Sequence, residues 1–372
     1  MPSLISRHAK KFLSALYKIE AFQDFRLCPL KNHVIRYIII INILFFMRKA
    51  RDLMLDSFIY TVNTVVPIFL LVLIGLLLKR KGFLSEGFVA DSDRFVFKIA
   101  LPVYLFAEIS SAELSAMLDV PLLLFCVAGV IVTVLLGFLI VPLCVKGNDK
   151  RGAFIQGIYR SNSAILGIMM ARSMFGEAGV EKIALILPVT IILYNICAVV
   201  ILSVFAPQDT KLTPVQMTKR ILLDIVKNPL IIAIVAAIPL MLLKIKLPQF
   251  ATQTLDYIGS MATPLALISL GANFTLDSLK KKYSLALAAS LVKTALLPLV
   301  TVVVGILLGF RDISLGIILI FFGGPAAVSS YIMAKNMKSD HELAGQILLL
   351  STICCIFTFF TGIFILKSTG MI

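Results

Sequence analysis

The sequence predicts an all-α membrane protein of ten transmembrane helices, arranged as two inverted five-helix repeats, with helices 4 and 9 broken and crossing. Three observations carry this prediction. Of the 372 residues, 59% are hydrophobic and 15% charged, and the mean hydropathy is +1.00; soluble domains run near half and a quarter. The apolar residues gather into runs such as "TVNTVVPIFLLVLIGLLL", close to the roughly 20 residues that cross a bilayer. Sliding the chain by 162 residues lays Pro67 on Pro229, Pro102 on Pro264, and Ser161 and Asn162 on Gly323 and Gly324. Three matches in order, without a gap, read as an internal repeat. Five helices is an odd number, so the second copy enters from the opposite face.

The expected spans lie near 59–79, 88–110, 120–144, 152–174, 180–206, 221–243, 250–274, 283–308, 313–334 and 341–366. The first repeat is 54–206, the second 221–372, and a cytoplasmic linker, 207–220, joins them. Fifteen Lys or Arg fall in the loops on one side and six on the other. The positive-inside rule puts the richer side in the cytoplasm, with both ends of the core outside. The expected location is the plasma membrane, or the bacterial inner membrane. Residues 1–53 carry ten Lys or Arg around the short run "YIIIINILFF". They read as a basic N-terminal extension: an upstream start before a core beginning near Met54, or an interfacial or short spanning element.

Two pairs of spans are interrupted at matching places. One pair carries Pro102 and Pro264 as helix breaks. The other carries "YRSNSAILG" and "FFGGPAAVSS", where Gly and Pro are the poorest helix formers. A broken helix leaves N–H groups unpaired at its new start and carbonyls at its new end, and the N–H end attracts an anion. Irregular backbone survives at membrane depth only where it is buried in protein or lines a cavity. Matching interruptions in two halves therefore point to a transport site near the midplane. The candidate substrate-binding residues are Arg160, Ser161, Asn162 and Ser163 at the first break, and Gly323, Gly324, Pro325, Ser329 and Ser330 at the second; Tyr331 adds a hydroxyl there.

A cation inside a span costs about 2.5–3.5 kcal/mol on insertion scales, so each asks for a partner or a role. Arg160 either meets an anionic substrate or bonds carbonyls freed by the break. Lys293, in "SLALAASLVKTALLPLV", either faces the substrate or pairs with Glu108 or Asp256. Arg94 and Lys98 snorkel toward the cytoplasm. Asn63 and Asn195 read as interhelical glue, and "GILLG" at 305–309 as a G-x-x-x-G packing signal.

Other chemistry finds little support. The cysteines fall mostly in apolar runs and suit packing. Three histidines, two of them ahead of the spans, make a metal site improbable. No H-E-x-x-H, G-x-S-x-G or G-x-x-x-x-G-K-[ST] occurs, so neither enzyme activity nor ATP hydrolysis is expected. No cofactor and no nucleic-acid partner is expected.

The segments "ALPVYLF", "YRSNSAILGI", "LYNICAVVILS", "KNPLIIAI", "ATPLALISLGANF" and "YIMAKNMKSDHELAGQILLLST" resemble the auxin efflux carrier family over about residues 56–368. The resemblance implies a fold related to the bile-acid/sodium symporters, with the fourth and ninth helices crossing at Asn162 and Pro325, an elevator-like motion and, as in related carriers, a homodimer. The long hydrophilic central loop of the long plant carriers has no counterpart here, nor do residues 1–53 in the family. The expected function is a secondary carrier, an exporter of a small organic anion such as malate, malonate or an auxin-like acid, embedded in the lipid bilayer. The rivals are a sodium- or proton-coupled importer of the same fold and a membrane sensor without flux.

Overall fold

The structure, a computed structural model, describes residues 66–112, 119–206, 214–274 and 276–372. The basic extension 1–53 and Asn63 lie outside the described residues. The described chain is helical throughout, with a single isolated β-bridge.

Helix α1 covers 66–80 and stops at Gly82, whose φ of 78° suits a left-handed cap. Helix α2, Glu86–Phe95, starts on Ser85, which accepts a hydrogen bond from the Phe88 N–H at 3.0 Å. It widens into a π turn, Val96–Ala100, and continues as α3, Leu101–Ser110. Pro102 sits in the first turn of α3; its ring and missing N–H disturb the ladder just upstream, where the π turn lies. The expected break at Pro102 is absent: the helix stays wound through it.

Helix α4, Val120–Cys144, is capped by Asp119. Helix α5, Asn148–Tyr159, ends in a break, after which a π turn, Ser163–Gly167, leads into α6, Ile168–Phe175. Helix α7 is Glu177–Val204. In the second half, α8 is Pro214–Val226, α9 Pro229–Leu242, α10 Gln249–Ser260 and α11 Ala262–Ala272. Helices α10 and α11 are separated by one turn residue, Met261, three positions before Pro264. Helix α12, Leu276–Leu291, passes through the π turn Val292–Leu296 into α13, Leu297–Leu307. Helix α14, Asp312–Gly323, ends in the second break and resumes as α15, Ser329–Asn336; α16 is His341–Ser368.

Among the described residues, five stretches are long and apolar enough to cross a membrane: Val120–Cys144, Glu177–Val204, Gln249–Ala272, Lys282–Leu307 and His341–Ser368. Their outer faces carry apolar side chains such as Leu139, Leu143, Leu307 and Phe357, a surface suited to lipid.

The buried side chains form two main groups. One joins α4, α5, α6, α7, α12, α13, α14 and α16. The other joins α1, α2, α3, α9 and α11. Helices α7 and α15 lie along the seam: Ala198, Val199 and Leu202 of α7, and Tyr331, Ile332 and Met333 of α15, pack into the second group.

Three expectations change. The sixth span does not begin near 221. Asn228 caps a new helix by accepting from the Leu230 N–H at 3.0 Å, and Pro229 opens it. Residues 214–226 are a helix of their own with Leu222, Leu223 and Val226 exposed, so the linker is partly helical. In "GILLG", Gly305 packs against Ile318 and Leu315, but Gly309 lies beyond the end of α13 with φ 88°; it ends the helix and is no part of a packing stripe. Lys335 is in no loop; it belongs to α15.

The second group depends on the close approach of α1 and α11. A Cβ on Gly75 would lie 2.1 Å from the Ile268 carbonyl oxygen, and one on Gly271 1.9 Å from that of Val72. Backbone cannot yield as a flexible side chain does. Gly271→Ala is expected to cost about 1–3 kcal/mol, as overpacking does, read as a lower melting temperature of the purified protein in detergent.

Candidate functional site

Both breaks fall where the sequence carries its helix breakers. Helix α5 ends as Arg160 turns extended, with ψ 106°. Helix α14 ends at Gly324, with ψ 151°, and Pro325 has no N–H with which to continue. The two extended pieces meet. Ser161 and Ala326 form an antiparallel bridge, and the Asn162 N–H donates to the Pro325 carbonyl at 2.9 Å. The Ala326 N–H donates to Ser351 Oγ of α16 at 3.0 Å. Backbone groups released by each break thus find partners in the other strand or in a neighbouring helix.

A cavity opens beside the crossing, in the seam between the two packed groups. The crossing supplies Arg160, Ser161, Asn162, Ser163, Ala327, Val328 and Ser329. The facing wall is Leu101, Tyr104, Leu105, Leu230, Ala262, Thr263 and Ala266, and Ile191, Tyr194, Asn195, Ile332 and Met333 complete the lining. The cavity is narrow, about 90 Å³, and open on one side. Most of the wall is apolar, with polar groups concentrated on the crossing.

Arg160 is the cation of this cavity. It is 5% exposed. One guanidinium nitrogen donates to Met333 Sδ at 2.8 Å and the other to Asn195 Oδ1 at 2.8 Å. Asn195 is itself held by donating Nδ2–H to the Ile191 carbonyl at 2.8 Å, and Gln156 donates to the same Met333 sulfur at 3.6 Å. Both acceptors of Arg160 are neutral. Among the described residues no carboxylate lies within ion-pair distance of it. The first turns after the breaks, at Ser163 and at Ser329, also face the cavity, so two positive helix ends add to the charge of Arg160.

The remaining candidates are placed as follows. Gly323, Gly324 and Pro325 form the second arm of the crossing and do not line the cavity. Ser330 is buried behind it, its hydroxyl without a hydrogen-bond partner among the described residues. Pro102 and Pro264 do not line the cavity, but neighbours of each, Leu101 and Thr263, do. Lys293 is wholly buried on the far side of the crossing. Its ammonium donates to Ser161 Oγ and to the Phe322 carbonyl at 3.0 Å. The expected pairing of Lys293 with Glu108 or Asp256 is replaced by these two oxygens, because the π turn Val292–Leu296 aims it at the end of α14. Arg94 is exposed and pairs with Asp91 at 3.3 Å.

Asn195 is the interhelical glue expected of it: its Oδ1 accepts from Arg160 of the first break, a partner that a lone Asn on an apolar helix gives no sign of. Asp93 went unread, because nothing near it in the chain marks its partners. Asp93, 3% exposed on α2, pairs with Lys335 of α15 and accepts from the Ser269 hydroxyl of α11. Asn273 of α11 donates to Tyr331 Oη of α15 at 3.1 Å. This polar cluster crosses the same seam as the cavity.

Removing the Asn195 carbonyl oxygen strands one buried guanidinium N–H, a loss of about 1–3 kcal/mol. Asn195→Ala is expected to raise the concentration for half-maximal uptake about tenfold in reconstituted vesicles while membrane insertion is unchanged.

The chain is 25% identical over 299 residues to an uncharacterized transporter of Methanocaldococcus jannaschii, covering 78% of this chain and 94% of that protein. It is 22% identical over 297 residues to an uncharacterized transporter of Methanothermobacter thermautotrophicus, covering 80% and 95%. The model of a family described as membrane transport protein matches residues 60–361. A multi-pass helical chain whose broken helices meet beside a polar-lipped cavity therefore belongs to that membrane transport protein family, the family of the auxin efflux carriers.

Proposed function

We propose that this transporter is a secondary carrier exporting a small organic anion by alternating access, with the carboxylate held at the crossing. The observation that carries the reading is Arg160: a buried guanidinium on the cavity wall whose hydrogen-bond acceptors are all neutral. Burying an ion costs several kcal/mol unless something compensates it. A carboxylate guest would supply the missing charge, and the helix starts at Ser163 and Ser329 would donate to it. The apolar facing wall suits the carbon skeleton of an acid such as malate, malonate or an auxin-like compound.

The ten spans would then form two inverted five-helix repeats, with α5–α6 and α14–α15 as their crossing members. The cavity lies in a seam between two separately packed groups, which supports alternation by one group sliding against the other. The basic loops favour an orientation with the core termini outside. Export is favoured by the field, since one negative charge leaving a cell at −100 mV gains about 2.3 kcal/mol.

Counterflow of radiolabelled dicarboxylates and aromatic acids in proteoliposomes tests the reading. Asn162→Ala is expected to abolish flux with expression and insertion intact. Arg160→Gln removes a charge-assisted contact of about 1.5–3 kcal/mol, so kcat/KM is expected to fall at least tenfold. Near-normal flux in both variants would overturn the site.

A further inference from the structure

We propose that Lys293 is a tethered cation: its ammonium fills the place at which a mobile coupling ion would bind the crossing, so the carrier works without sodium. The proposal rests on reading the cavity as an organic-anion site.

Lys293 is 0% exposed. Nζ donates to Ser161 Oγ on the first broken strand and to the Phe322 carbonyl oxygen, at 3.0 Å, in the last turn of α14. A hydroxyl and a carbonyl from the C-terminal end of a half-helix are the oxygen ligands that unwound transporter helices offer to sodium, and that end of a helix carries partial negative charge. In this chain an ammonium holds the place. Among the described residues no carboxylate lies within ion-pair distance of Lys293, so its charge belongs to the crossing.

The backbone is shaped to put it there. Lys293 lies in the π turn Val292–Leu296, between α12 and α13. Such turns are costly and often mark functional positions. A methionine would fill a similar volume without the insertion cost of a charge, so packing does not explain a lysine.

Lys293 does not line the cavity. Ser161 does both: it accepts from Lys293 and forms part of the cavity wall. Lys293 is therefore a positioning residue. It ties the two broken strands together from behind and acts on the guest through Ser161.

The test is chemical rescue of anion counterflow in proteoliposomes. Wild-type flux is expected to be equal in sodium, potassium and choline media. Lys293→Ala is expected to lose at least tenfold, and added methylammonium or sodium to restore at least threefold of that loss with a saturable dependence. Lys293→Met, which fills the space without charge, is expected to stay inactive with or without added cations. Three results would overturn the proposal: wild-type flux that requires sodium, wild-type rates in Lys293→Met, or a Lys293→Ala protein that no small cation rescues. If Lys293→Ala cannot be recovered from membranes, Lys293→Gln replaces it, keeping a donor without the charge. A tenfold loss supports the proposal and a wild-type rate overturns it. A wild-type protein that carries no organic anion removes the anion site and this inference together. A wild-type protein that carries one, with variants that fail the rescue, removes this inference alone.

Discussion

One backbone hydrogen bond, from the Asn162 N–H to the Pro325 carbonyl, concentrates the physical problem that this structure solves. Breaking a helix in a nonpolar surrounding exposes groups that water cannot reach, each worth several kcal/mol if left unpaired. Here each break supplies partners for the other. The extended pieces pair as a minimal two-strand ribbon, Ser351 takes the Ala326 N–H, and Lys293 takes the Phe322 carbonyl. Neither break is satisfied in isolation, so the sequence has to interrupt both helices and bring the interruptions together.

Around that ribbon the chain divides its apolar side chains into two cores. The division positions the cavity. One wall is the crossing, with Arg160 and most of the small polar groups, and the other is the largely apolar face of α3, α9 and α11, where Tyr104 and Thr263 are the polar members. Arg160 stands at the boundary, held by an amide oxygen and a thioether that fix its direction without neutralising it. A guanidinium is planar and forks its donors, so two nitrogens can be engaged by the protein while its charge remains available to the cavity.

The breaks were legible in the sequence because Gly-Gly-Pro and Ser-Asn-Ser have no other reason to interrupt a long apolar run; their encounter at Asn162 and Pro325, which are joined by a backbone hydrogen bond, was implied by the family resemblance alone. The helix ends were legible within a few residues wherever a cap or proline marked them, as at Asp119 and Asp340. What failed did so for want of the third dimension. Lys335 looked like a loop cation because its partner, Asp93, is 242 positions away in the chain. Lys293 looked like a substrate ligand or half of an ion pair, since a sequence shows that a buried charge needs company but not that the company is a hydroxyl and a carbonyl. The sixth span was drawn too early because residues 214–226 are apolar enough to extend it, and only the Asn228–Pro229 start shows the chain beginning again.

The pair of Asp93 and Lys335 has a mechanical consequence. Its members sit on α2, in the second group, and on α15, along the seam, with the Ser269 hydroxyl bound to the same carboxylate. Two cores that touch only through oily surfaces can slip past one another dry. These two cannot: parting them bares a carboxylate and an ammonium together, and the gap must admit solvent as it widens. If the groups slide as proposed above, displacement and wetting are one event, and the interface stays shut until water is able to follow.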